Sequence, residues 1–152
     1  MRRAIYVWDF GDGQAQRVAY DGMPGLPAKT RVQSSVFRLT DDASKLTFRI
    51  KGDPLPPPRK LLSDDTVTVD IWHWQDGLIQ PMQAKRQSMM VNPARTCVVA
   101  LASDAKAVVL GTERMPSVSV LGNGDVAIGS DGRDYLREIT WDGRYPDVYV
   151  VD

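Results

Sequence analysis

Lys45-Leu46-Thr47-Phe48-Arg49-Ile50-Lys51 alternates strictly between polar and apolar side chains. Successive side chains of an extended strand point to opposite faces, so Leu46, Phe48 and Ile50 share one face and the four polar residues the other. Such a strand has one face in a core and one in water. Outward from it, Asp-Gly or Asn-Gly pairs recur at Asp12-Gly13, Asp21-Gly22, Asp76-Gly77, Asn123-Gly124, Asp131-Gly132 and Asp142-Gly143. These pairs accept the positive φ of the primed turns that reverse a twisted ribbon. Between them strands are predicted near residues 3–8, 14–20, 30–39, 66–74, 78–86, 95–102, 106–110, 117–121, 125–129, 134–141 and 147–151. Strands at this spacing predict an all-β, single-domain antiparallel β-sandwich or barrel.

Some segments carry more than one signal. Residues 97–110 hold alanines and leucines that suit a helix, but four valines and a central Ser103-Asp104 favour a hairpin. Asp41-Asp42-Ala43-Ser44 suits a single helical turn. Long loops are predicted at 21–28 and 53–65. In the second, Pro54 to Pro58 should be extended and stiff, followed by an apolar Leu61-Leu62 step. One role for it is a connection between sheets. The other is an arm on a neighbouring subunit, since stiff segments lose little entropy on docking. Its contacts would be Leu55, Pro56, Pro57, Pro58, Leu61 and Leu62.

The chain has 152 residues, enough to bury a core in one domain without disulfide staples. Nineteen basic and nineteen acidic residues balance, so no long-range field draws in nucleic acid or an anionic membrane. The single Cys97 excludes an internal disulfide framework and reads as a small buried hydrophobe. Residues 1–6 lack the apolar stretch of a signal peptide, and no apolar run approaches a membrane span, so synthesis in the cytoplasm is expected.

Candidate chemistry is sparse. His73 is the only histidine, and a His73–Cys97 nucleophilic pair is the one covalent option. His73 shares its predicted strand face with Val67, Val69 and Ile71, which suits a satisfied, partly buried side chain better. One His and one Cys cannot supply a zinc ligand set. The aspartates lack the spacing of a calcium loop and are explained by turns. Gly11-Asp12-Gly13 and Gly122-Asn123-Gly124 lack the Lys-Ser/Thr end of a phosphate loop. No catalytic residue, metal or cofactor is therefore predicted, and the chain reads as a non-enzyme. Trp72 and Trp74 alternate on one strand face with Thr66, Thr68 and Asp70. Two tryptophans on a polar face read as an interface rather than deep core.

Two local resemblances follow. Trp8-Asp9-Phe10-Gly11-Asp12-Gly13 resembles a turn of PKD-type immunoglobulin-like domains, but only seven residues precede Trp8 and Val18 to Leu39 lacks that family's later aromatic-Gly-aromatic pattern, so the turn is shared and the family is not. Residues 117–129, with Gly122-Asn123-Gly124 at their centre, are similar to the hairpin phrase of bacteriophage tail-fibre shafts. That similarity implies a virion structural protein. Together the sequence predicts a structural component of a larger assembly, a phage tail, baseplate, neck or capsid-surface protein. Its partners would be protein subunits, with further copies of itself among the candidates, and Trp72, Trp74 and the arm as contacts. The alternative is a carbohydrate-binding module that stacks sugar rings on Trp72 and Trp74, or on Trp8 and Trp141.

Overall fold

The computed structural model describes residues 3–11, 13–54, 56, 69, 71–102 and 104–151. The alternating stretch 45–51 is strand β4 (Lys45–Gly52). The other strands are β1 (Ala4–Trp8), β2 (Ala15–Tyr20), β3 (Thr30–Leu39), β5 (Arg95–Ala100), β6 (Val108–Val109), β7 (Val118–Leu121), β8 (Val126–Asp131) and β9 (Asp147–Val151). Helix α1 (Gln80–Val91) lies between β4 and β5. The strands form three antiparallel sheets, ordered β1-β2, β3-β4-β5-β6 and β7-β8-β9. The fold class is all-β, and among the described residues no sheet closes into a barrel.

The core follows from the alternation in β4. Leu46, Phe48 and Ile50 are fully buried, while Lys45, Thr47, Arg49 and Lys51 between them are half-buried. Register sets Leu46 against Val99, Phe48 against Cys97 and Ile50 against Val32. The β1–β2 ribbon adds Ile5 and Ala19 to this cluster, and the loop over 21–28 adds Met23. Burying each large side chain contributes about 1.5–3 kcal/mol. The loop comes close because of Gly25. Its φ is +91°, and a Cβ there would lie 2.0 Å from the Ala107 carbonyl oxygen. The Ala107 N–H donates to the Pro24 carbonyl at 3.0 Å across the same contact.

The third sheet docks on the second through polar groups. Thr96 in β5 is buried, and its Oγ1 accepts the Val118 N–H at 3.1 Å. Its own N–H donates to the Pro116 carbonyl at 3.0 Å. Lys45 Nζ donates to the Asn123 carbonyl and pairs with Asp125, each at 3.0 Å. The Arg49 guanidinium donates to the Ser117 hydroxyl.

The described residues of 97–110 lie in β5, β6 and the connection between these paired strands, the hairpin and not the helix; Ser103 lies outside the described residues. Four local expectations are corrected. Residues 78–86 fall largely in α1 and not in a strand. Met82, Gln83, Ala84, Lys85 and Arg86 are good helix formers, and Pro81 sits in the first turn, where no N–H is needed. Residues 134–141 contain two 3-10 turns, Arg133–Tyr135 and Glu138–Thr140. Tyr135, Leu136 and Ile139 are half-buried at helical rather than alternating spacing. Residues 71–74 are not a strand; the N–H of His73 instead donates to Asp76 Oδ2 at 2.8 Å, turning the chain. Residues 41–44 make a turn with Ala43 at φ 55°, outside helical geometry. Of the predicted strand over 66–74, residues 66–68 and 70 lie outside the described residues.

Candidate functional site

β9 is the edge of its sheet. It pairs with β8 on one side and, among the described residues, with no strand on the other. Val148, Tyr149 and Val150 expose 65%, 49% and 70% of their surface. An open edge offers a row of unpaired N–H and C=O groups to another chain. The edges at β3, β6 and the β1–β2 ribbon are blunted, whereas β7, the far edge of the same sheet, has four residues in regular register. β3 is interrupted where Gln33 pairs with Arg49 but Phe37 pairs with Phe48, so residues 34–36 bulge out of the ladder. β6 has only two residues. The β1–β2 ribbon shifts register between Ile5 and Tyr6. β9 has regular register along its whole length and carries no lysine, proline or bulge.

The same sheet has an uncovered face. Pairing of Leu121 with Val126, Ile128 with Val150 and Ser130 with Val148 places these side chains together. The five apolar ones, Leu121, Val126, Ile128, Val148 and Val150, are all exposed. The opposite face carries Val118, Ala127 and Gly129, all buried. The Met115 side chain fills the place where a Gly129 Cβ would stand.

A second exposed apolar cluster lies outside the strands. Trp72, Trp74 and Trp141 expose 69%, 72% and 73% and line one shallow cleft of about 190 Å³ with Ile79 and Arg137. Trp72 and Trp74 were predicted as contacts, and the structure brings Trp141 to them. The His73 ring packs beside Trp74 with centroids 5.6 Å apart. The Arg137 guanidinium donates to the Gln75 carbonyl at 2.7 Å and ties the two loops together. Of the predicted arm, Pro56 is exposed; Leu55, Pro57, Pro58, Leu61 and Leu62 lie outside the described residues.

The chemistry-bearing residues are placed as follows. Cys97 is buried in the core, and burial pushes its thiol up to about 12. It stays protonated and enclosed at neutral pH, unlike a thiolate nucleophile. His73 lies in an exposed loop, and its Nδ1 accepts the Gln75 N–H at 3.2 Å. Among the described residues no group of three His, Cys, Asp or Glu side chains is placed to hold a metal ion. A polar cleft of about 890 Å³ between β1, β2 and β3 is lined by Arg3, Arg17, Lys29 and Arg31, with Asp21 and Asp53. Both carboxylates there are already engaged. Asp21 accepts the N–H groups of Arg3 and Val32 at 2.9 and 2.7 Å, and Asp53 pairs with Arg31. Arg17 lies 4.0 Å over the Tyr20 ring.

β9 was legible as a strand over 147–151 but not as a site. The available signal was its composition: Val148, Tyr149, Val150 and Val151 are apolar on both faces, as in a strand covered on both sides. No described helix is long and apolar enough to cross a membrane. The chain matches no protein-family model, no curated protein and no solved structure.

Proposed function

We propose that this chain is a non-catalytic structural subunit that joins a larger protein assembly through the edge and uncovered face of β7-β8-β9. The observation that carries this reading is β9, the longer of the two regular edges of its sheet and the more exposed, beside edges at β3 and β6 that are bulged or short. Exposed edges of this kind invite pairing, and folded proteins keep them where pairing is useful or protect them. The uncovered face adds to it. Three strands spaced about 4.8 Å and five residues rising about 3.3 Å each make a patch on the order of 250 Å². That patch suits a contact completed by further surface, since stable interfaces bury about 800 Å² per partner. The resemblance of residues 117–129 to tail-fibre hairpins supports a bacteriophage particle as the assembly, and those residues build β7, the turn after it and the first four residues of β8.

The test combines native mass spectrometry and analytical ultracentrifugation with fractionation of the source lysate. Wild-type chain is expected in oligomers or in a particle fraction. Val150→Lys, which puts a charge on the edge, should reduce association at least tenfold with an unchanged far-UV spectrum. A chain that is monomeric at every concentration and enters no particle counts against the proposal.

One observation favours a second reading, a carbohydrate-binding module. Trp72, Trp74 and Trp141 line a single cleft, and indole faces stack on flat apolar ligand surfaces. Glycan-array binding that disappears in Trp74→Ala, with oligomerisation unaffected, would place this reading first.

A further inference from the structure

We infer that the occupant of the β9 edge is a second copy of this chain, paired antiparallel about a two-fold axis at Tyr149. This rests on the assembly reading above and names its first partner. A two-fold perpendicular to the sheet keeps each side chain on its own face, so opposed residues must belong to the same face. The register centred on Tyr149 sets Asp147 against Val151, Val148 against Val150, and Tyr149 against its own copy. All five residues of β9 then pair. The neighbouring register centred on Val148 would bring Pro146, which has no N–H, opposite Val150.

The chemistry of the edge agrees with this register. Asp147 meets a valine and not the other copy's Asp147, so no like charges are opposed. On the uncovered face, Ile128 and Val150 of one copy continue into Val148 of the other, and the same row repeats in reverse. On the opposite face each Tyr149 stands beside Gly129, whose vacant Cβ position the Met115 side chain fills, and 49% of the tyrosine is still exposed. The other copy's Tyr149 covers part of that exposed ring. A zero net charge adds no long-range repulsion between copies. The result is a six-stranded sheet with a doubled apolar face, open to the next subunit. Pairing through one short strand is a small interface, so dissociation constants on the order of micromolar to millimolar are expected.

Cysteine crosslinking of the full chain reads the register directly. Directly opposed residues have Cα atoms about 4.5–5.5 Å apart, within disulfide reach, whereas diagonal residues are about 7–8 Å apart. Tyr149→Cys should therefore form a covalent dimer under mild oxidation at least tenfold faster than Val148→Cys. An equimolar mixture of Val148→Cys and Val150→Cys should give the mixed dimer. The native Cys97 is buried and should not contribute. Thermal unfolding checks each variant, and the mixed pair reports the register even where Tyr149→Cys folds poorly. Wild-type association, with itself or a particle, without the 149–149 and 148–150 crosslinks overturns self-pairing while leaving the assembly surface in place. A wild-type chain that associates with nothing overturns both.

Discussion

At the scale of single residues, the molecule is governed by what β4 and β5 enclose. Phe48 is the largest fully buried side chain, opposite Cys97 and flanked by Leu46 and Ile50. Phe48→Ala should cost about 3–5 kcal/mol, because the removed ring leaves a cavity that the surrounding strands cannot collapse. Chemical denaturation measures it, and a loss below about 1 kcal/mol would mean that the core lies elsewhere. Cys97 gives a pH prediction. Burial raises its thiol from an ordinary 9.0 to about 12 in the native state. The unfolded chain ionises first, so the contribution to stability is complete below pH about 9. It is lost progressively as pH rises towards 12. In Cys97→Ala this alkaline loss should shrink relative to wild type. Matched denaturation series at pH 8 and 10.5 test the difference. A thiol reagent at pH 8 should modify native wild type only at the rate of opening.

At the scale of elements, pattern was legible wherever burial is one-sided. β4 alternates because one face meets the core, and it was read at sight from residues 45–51. The same logic found both strands of the β7–β8 hairpin. It failed at α1, whose Met82, Gln83, Ala84, Lys85 and Arg86 carry helix propensity without an apolar stripe to announce the period. It failed again at 134–141, where apolar residues fill short 3-10 turns. The Asp-Gly and Asn-Gly pairs divide in the same way. Gly13, Gly22 and Gly124 take the left-handed φ of reversing turns, whereas Gly77, Gly132 and Gly143 do not. The second group flanks α1 and the 3-10 turns, where the chain changes direction without a ribbon. The candidate site was less legible, since edge position is set by topology and not by local sequence. Helix α1 makes its own prediction. Asn92 ends it, and its side-chain amide exchanges two hydrogen bonds with the Gly52 backbone, each 3.1 Å. Asn92→Ala removes both and should destabilise by about 1–2 kcal/mol. Thermal unfolding of the variant checks this, with Asn92→Asp expected to retain the Gly52 N–H bond only.

At the scale of the whole molecule, the proposed assembly role depends on how β7-β8-β9 is held against the central sheet. A mobile sheet would present the β9 edge in many orientations and weaken any pairing through ordering entropy. Thr96 is the buried point of attachment. Its hydroxyl accepts the Val118 N–H, and its backbone binds Pro116 on one side and Leu110 and Gly111 on the other. Thr96→Val nearly preserves shape but leaves a buried N–H without a partner. Such a donor costs about 1–3 kcal/mol. The loss should fall unevenly. Amides of β7, β8 and β9 are expected to exchange faster with solvent, while those of β4 and the facing residues of β5 keep their protection. Association through β9 should weaken in parallel, although Thr96 lies in a different sheet from that edge. Hydrogen exchange by mass spectrometry, followed by sedimentation of the same sample, reads both effects. Uniform acceleration across all three sheets would show that the molecule opens as one unit. Faster exchange in β7-β8-β9 with undiminished association would show that pairing does not depend on the docked sheet.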